Sequence, residues 1–222
     1  MQNRPSANVS LGVSMRELDL FPSRSGEARV SLLATDRRPS PAFDQRYYDA
    51  PDGTYGGYTY DGRYVTAAHR IMTEFDLRPG DRVLEIGCAK GFVLVELQRL
   101  GMKVRGIEIS RYAVENCHPE LKGRVTLIEP GEWPIFWRRF DLVICKEVLP
   151  HIAEEWLPRK IRYLRAVAKD ALIEIQCAET PEAAEKMRAW DVTHLTCKPA
   201  VWWRELLTEC GYAGAVNFKA LF

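Results

Sequence analysis

The sequence predicts an α/β fold: a doubly wound, mostly parallel sheet of six to seven strands with helices on both faces, preceded by an N-terminal extension. Three observations carry this. From Arg82 onward short apolar runs alternate with stretches of helical periodicity, the pattern of βαβ units with right-handed crossovers. The strand centres, such as Val83-Leu84 and Leu142-Val143-Ile144, are apolar at successive positions, as expected where helices cover both faces of a sheet. A turn with glycine at both ends, Gly87 to Gly91, then follows the first strand and leads into a helix.

Taken in chain order, residues 1–40 are rich in Ser, Arg, Pro and Asn and read as a mobile N-terminal arm. Residues 41–80 form a lid and helix: tyrosines interleaved with glycines from Tyr47 to Tyr64, then a helix over Val65 to Phe75, closed by the turn Leu77-Arg78-Pro79-Gly80-Asp81. Residues 81–222 form the core. Its strands are expected at Val83–Ile86, Val104–Ile109, Val125–Ile128, Leu142–Cys145, Ala171–Ile175 and Ala215–Phe222. Helices are expected at Phe92–Leu100, Arg111–Cys117, Glu154–Ala168 and Ala200–Cys210.

Lys plus Arg number 31 against 30 Asp plus Glu, a balance that gives no general pull toward nucleic acid or acidic lipid. The basic clusters at Trp137-Arg138-Arg139 and Arg159 to Arg165 read as solvated faces. The six cysteines form no Cys-x-x-Cys pair, a distribution of reduced thiols and not of a disulfide framework. No apolar run reaches the roughly 18 residues of a membrane span, and the N-terminus has no apolar signal core. A cytoplasmic location is expected.

The turn after the first strand carries the chemistry. Glycines allow backbone conformations and close approaches that a Cβ would block, and the following helix presents free N–H groups, so strand, turn and helix together can hold a nucleotide-like cofactor. A dinucleotide fingerprint would need glycine at 87, 89 and 92, but the chain has Gly87, Ala89 and Phe92. A Walker loop fails for want of Gly-Lys-Ser/Thr. The chain instead places Glu85 two residues before Gly87, Glu108 at the end of the second strand and Glu129 after the third. Three acids near successive strand ends border the crevice where open α/β sheets bind ligands. A carboxylate at the second position can accept from both hydroxyls of a ribose.

These residues resemble a known family. Val83-Leu84-Glu85-Ile86-Gly87-Cys88-Ala89-Lys90-Gly91 resembles motif I of class I S-adenosylmethionine-dependent methyltransferases, whose fold is Rossmann-like. Gly106-Ile107-Glu108-Ile109-Ser110 is similar to their second motif, and Phe140 to Ile152 to their fourth-strand signature. Thr193-His194-Leu195-Thr196, with Trp202-Trp203 and Gly211-Tyr212, resembles their C-terminal segment.

The resemblance implies S-adenosyl-L-methionine as cofactor and S-adenosyl-L-homocysteine as product. It places Glu85, Gly87, Cys88, Ala89, Gly91 and Ile109 around the cofactor, with Glu108 at the ribose. Glu129 falls near the adenine amino group and Pro130 beside the ring. Lys146 and Glu147 line the methyl-transfer cleft, and Tyr58, Tyr60 or Arg63 reaches the methionyl carboxylate. Members usually close the sheet with an antiparallel pair; so few residues follow Gly214 that the seventh strand is expected to be short or missing.

Methyl transfer is an in-line displacement in which the protein aligns donor and acceptor, and a general base is needed only where the acceptor's proton must leave early. His151 and then His194 are the candidate bases, with Glu147 also in the catalytic set; each histidine could equally serve a structural hydrogen bond. No metal is expected, because no cluster has ligand spacing along the chain. The acceptor is expected to be a small molecule such as a sugar, natural product or related metabolite, methylated on O or N in preference to C. Nucleic-acid and membrane partners are not expected, and a homodimer is left open. Two other readings stand beside this one: a non-catalytic adenosylmethionine-binding subunit, and an NAD-type oxidoreductase.

Overall fold

The computed structural model describes residues 14–22, 38–220 and 222. Strands β1 (Arg16–Glu17), β2 (Arg82–Ile86), β3 (Lys103–Glu108), β4 (Val125–Leu127), β5 (Phe140–Lys146), β6 (Ala168–Cys177) and β7 (Ala215–Ala220) form one sheet in the order β1-β7-β6-β5-β2-β3-β4. Every pairing is parallel. The order reverses at β2, which lies between β3 and β5. Ligand crevices form outside the C-terminal strand ends at such a reversal.

The helices are α1 (Gln45–Asp49), α2 (Val65–Glu74), α3 (Phe92–Arg99), α4 (Arg111–Glu115), α5 (Leu157–Val167), α6 (Pro181–Trp190) and α7 (Ala200–Glu209). Two cores sit on the two faces of the sheet. Val83, Leu142, Ile144 and Leu172 pack with Ala68 and Ile71 of α2 and Leu94 and Leu97 of α3. Their strand neighbours Leu84, Val143, Cys145 and Ile173 pack with Ile161 and Leu164 of α5 and Trp203 and Leu207 of α7. Successive residues therefore enter opposite cores, the period-two consequence of the pleat.

Helix entries are set by local side chains. Asp44 accepts from Tyr47 N at 2.9 Å to start α1, Ser110 from Ala113 N at 2.9 Å to start α4, and Thr180 from Ala183 N at 3.1 Å to start α6. Each satisfies an otherwise orphaned first-turn donor.

The sheet edge departs from expectation. β7 is six residues long and pairs with β6 from Leu172↔Ala215 to Cys177↔Ala220; it is the final strand expected at Ala215–Phe222, and among the described residues no antiparallel strand follows it. It runs parallel, and the position beyond it is filled by β1, whose Arg16 and Glu17 pair with Ala215 and Val216. This short edge is held by ion pairs, Arg16 to Asp170 at 2.9 Å and Glu17 to Arg204 at 2.5 Å. Leu20 and Phe21 of the same segment are buried in the first core. The stretch 14–22 of the expected arm is therefore built into the domain; residues 1–13 and 23–37 lie outside the described residues. Two helices were not anticipated, α1 and α6, while the others lie within a few residues of their expected positions. Among the described residues, no helix is long and apolar enough to cross a membrane.

Candidate active site

The loop after β2 is left-handed at Gly87 (φ 66°), Ala89 (φ 49°) and Gly91 (φ 79°). Gly87 N and Cys88 N both donate to Ile107 O, at 2.9 and 3.3 Å, which pins the turn to β3. A Cβ on Gly87 would stand 2.4 Å from Val148 Cγ2, so glycine is required there by packing as well as by φ. Cys88 is buried, and a Cβ on Gly106 would lie 2.4 Å from its Sγ. Its side chain therefore fills the gap over Gly106 of β3.

Glu108 explains how Ala89 is held in a conformation uncommon for a residue with a side chain. Its Oε2 accepts from Ala89 N at 2.7 Å, and its Oε1 accepts from Ile109 N and Ser110 N, both at 2.8 Å. The carboxylate is buried at 4% exposure. Burial, ahead of these three amides that favour the charge, raises its pKa. Glu108 thus ties the turn to the end of β3 while keeping a carboxylate at the crevice.

Glu85 lies one strand over, 3% exposed, and its Oε2 has no hydrogen-bond partner. Burial, only partly countered by Lys146, raises its pKa to about 8. An orphaned buried carboxyl oxygen is rare in a folded protein and points to a missing partner. The outer end of the crevice carries a groove of about 480 Å³ lined by Leu127, Ile128, Glu129, Glu132, Trp133 and Pro134. Glu129 and Pro130 are both exposed at its rim. An orphan acid, an acid at the second strand end and a groove beyond the third form a run that fits an amino acid, a ribose and a base in that order.

Other expected residues are differently engaged. Lys146 Nζ pairs with Glu147 Oε2 at 2.9 Å and Glu174 Oε1 at 3.3 Å, and lies 5.6 Å from the centroid of the Phe21 ring. Burial opposes its charge, but the two carboxylates outweigh this and hold the ammonium above the usual lysine range. Burial likewise opposes charge on Glu147, and Lys146 outweighs it, keeping that carboxyl below its usual range. Lys146 is therefore committed to acids, and Glu147, left-handed at φ 55°, to the lysine. Tyr58 stacks on Phe92 with ring centroids 4.7 Å apart. Arg63 is taken by Asp61 at 2.6 Å, and Tyr60 by Glu96 and Arg99. Neither of the last two is free for a ligand carboxylate.

Lys90 was not anticipated. It is buried, pairs with Asp49 of α1 at 2.6 Å and donates to Tyr58 O at 3.1 Å. Tyr112 of α4 donates to the same Asp49 at 2.5 Å. These contacts fasten α1 and the Tyr58 segment to the turn after β2.

The structure also assembles a cluster that spacing along the chain hides. His151 and His194 stack with ring centroids 4.5 Å apart, and ligand-capable atoms of His151, Asp191 and His194 all lie within 4.8 Å of one another. Asp191 accepts from Tyr47 Oη on Oδ2 at 2.6 Å, and from Thr193 N and Oγ1 on Oδ1 at 3.0 and 2.5 Å. Thr193 spends its proton on Asp191, so its contact with His151 Nδ1 at 2.9 Å requires that Nδ1 donate. The basic nitrogen of His151 is then Nε2. His194 Nδ1 faces Met187 O at 3.3 Å, a group that only accepts, so its basic nitrogen is also Nε2; that atom is buried and unpartnered. Burial lowers the pKa of both histidines, with Asp191 pulling the other way on each and His151 adding to the fall at His194. Both rings are neutral at pH 7. One signal for Asp191 was present: Asp191-Val192-Thr193 is the Asx turn that starts the His194 loop.

A family model described as a methyltransferase domain matches residues 59–214. Among curated proteins, the mitochondrial ubiquinone biosynthesis O-methyltransferase of Schizosaccharomyces pombe is 33% identical over 94 residues, 38% of this chain and 33% of that protein. The chain spans about a third of the length of the curated relatives it matches. Among solved structures, the YcgJ protein of Bacillus subtilis superposes with TM-score 0.53 at 17% identity, over 64% of this chain and 66% of that one. A SAM-dependent methyltransferase from Archaeoglobus fulgidus superposes with TM-score 0.51 at 18% identity, over 68% and 70%. At such identity these two speak for the fold.

Proposed function

The chain belongs to the methyltransferase-domain family, and on that premise we propose that it transfers the methyl group of S-adenosylmethionine to a hydroxyl oxygen of a small-molecule acceptor. The observation that carries the oxygen acceptor is the hydrogen-bond chain Asp191–Thr193–His151, which leaves His151 with an unprotonated Nε2 beside the end of β5. A neutral amine is nucleophilic enough to attack before it sheds a proton, whereas a hydroxyl must lose its proton as the bond forms, and a neutral imidazole suits that task near pH 7. The name of the Schizosaccharomyces pombe relative, an O-methyltransferase, supports the same choice.

When bound, S-adenosylmethionine supplies a methyl group on a sulfonium, which is already an activated donor. Glu108 would accept from the ribose hydroxyls, and Glu85 Oε2 would take the ammonium of the methionyl part. Gly87, Ala89 and Gly91 would give the ligand close approach to the turn, and Glu129 would border the base. The protein then has to align an acceptor and exclude water. Tyr47, Phe43 and the lid tied down by Lys90 cover the His151 side of the crevice, and Glu147 fixes Lys146 at its floor.

Turnover with methyl-labelled cofactor against a panel of phenolic, sugar and amine acceptors tests this reading. Label is expected on hydroxyl-bearing acceptors, and His151→Gln is expected to lower kcat by at least about 100-fold with cofactor KM little changed. Label on amines alone, or a variant with kcat within about threefold of the parent, would overturn the hydroxyl assignment.

A further inference from the structure

We propose that His151, Asp191 and His194 form a binding site for a divalent transition-metal ion. The inference rests on the methyl-transfer reading only for what the ion does; its binding stands on the geometry alone.

Three independent features converge. The ligand-capable atoms lie within 4.8 Å of one another. Ligands about 2.0–2.1 Å from a tetrahedral ion stand roughly 3.3 Å apart, so the set would have to draw in by at most about 1.5 Å to hold one. The second feature is the tautomer pattern. Met187 O takes the Nδ1 proton of His194 and Thr193 Oγ1 that of His151, which leaves a lone pair on each Nε2. Metal-binding histidines are oriented in this way, by an acceptor on the far nitrogen. The third is an unpaired atom: His194 Nε2 is buried without a partner, and a buried polar atom without one costs about 1–3 kcal/mol. A metal ion is a partner that would satisfy it.

The remaining contacts behave as a supporting layer. Tyr47 Oη and Thr193 hold Asp191 from two sides, fixing the carboxylate while leaving it lone pairs for an ion. Burial keeps Tyr47 protonated, and hence a donor. Two imidazoles and one carboxylate suit zinc, cobalt, iron or manganese better than magnesium or calcium, which favour oxygen ligands.

Three protein ligands leave a coordination position open, the arrangement of catalytic metal sites. An acceptor hydroxyl bound there loses its proton more readily. The proton leaves to solvent as the acceptor binds, before water is excluded; the oxygen then forms its bond to the methyl group as the methyl–sulfur bond breaks, and S-adenosylhomocysteine leaves neutral at sulfur. In the ion-free protein the same lone pair of His151 takes the proton.

The test uses the full chain stripped with a chelator and titrated with Co²⁺ alone, followed by calorimetry and visible absorption. Two variants are compared, His194→Ala and Asp191→Asn, each checked for folding by its affinity for S-adenosylhomocysteine. We expect one Co²⁺ per chain in the parent, with a spectrum of nitrogen and oxygen ligation. Affinity should fall at least about tenfold in either variant that still binds S-adenosylhomocysteine. Absence of saturable binding, thiolate bands reporting capture by cysteine, or folded variants that bind as the parent does would each overturn the site. Co²⁺ binding without methyl transfer to any hydroxyl acceptor would remove the proposed reaction and leave the ion site standing. Undiminished transfer by a parent that binds no ion would do the reverse.

Discussion

Binding of S-adenosylhomocysteine at neutral pH should expel a proton from Glu85. Its pKa of about 8 in the free protein, set mainly by burial, leaves the carboxyl about 0.9 protonated at pH 7. A ligand ammonium placed at the orphaned Oε2 favours the charged form, and a fall of the pKa below about 6 would release roughly 0.8 of a proton per ligand. Calorimetry at pH 7 in buffers of different ionisation enthalpy measures this number directly. It should shrink toward zero above about pH 9, where the free carboxyl is already ionised, and vanish in Glu85→Gln.

The same group has a signature in the ligand-free protein. Its folded pKa exceeds the unfolded value of about 4.3, so its stabilising contribution is complete below that pH and is lost as pH rises through the folded value near 8. The loss amounts to at most about 1.4 kcal/mol per pH unit across the window. Glu85→Gln should flatten the decline of Tm over it. Ligand binding with no buffer dependence in the parent, or equal release in Glu85→Gln, would refute the placement of the ammonium at Glu85.

Two further outcomes are expected. Glu108→Gln turns a donor toward Ala89 N and weakens the ribose contact, so S-adenosylhomocysteine affinity should drop about 30-fold, near 2 kcal/mol; calorimetric affinity within about threefold of the parent would show that the ribose is held elsewhere. Gly87→Ala meets both the φ of 66° and the Val148 side chain at 2.4 Å, and should cost about 1–3 kcal/mol, or very roughly 2–12 °C in Tm. Adding Val148→Ala should recover the steric part in thermal denaturation, and failure to recover any of it would leave φ as the whole cause.

The parts legible in the sequence are those whose chemistry is written locally. Glu85, Gly87 and Gly91 lie within one turn of chain, and Glu108 ends the next strand, so strand order alone brings them together. The family model over residues 59–214 agrees with the family those motifs resemble. The His151–Asp191–His194 cluster was hidden because its members come from the end of β5 and from a loop about forty residues later. The expectation of no metal cluster was drawn from linear spacing, which says nothing of that juxtaposition. Asp49 and Lys90 were missed likewise, since a buried lysine reads in the sequence as one more solvated charge. β1 was illegible for a different reason: Arg16-Glu17 has no strand character of its own and is a strand only because β7 offers it an open edge. α6, by contrast, carries a local signal, since Thr180-Pro181-Glu182 is a capped helix start with proline in its first turn.

That edge has a consequence for the order in which the domain can be assembled. Arg16 pairs with Ala215, a contact between stretches about 200 residues apart. Contacts of that separation form late, because their loop-closure entropy is repaid only once the intervening structure exists. On the ribosome, the stretch made early must wait, exposed, until β7 has emerged and docked on β6. Until then no neighbouring strand holds Leu20 and Phe21 against the first core, or the Phe21 ring beside Lys146. The crevice is therefore completed by the earliest-made of these residues, and only once β7 has docked on β6.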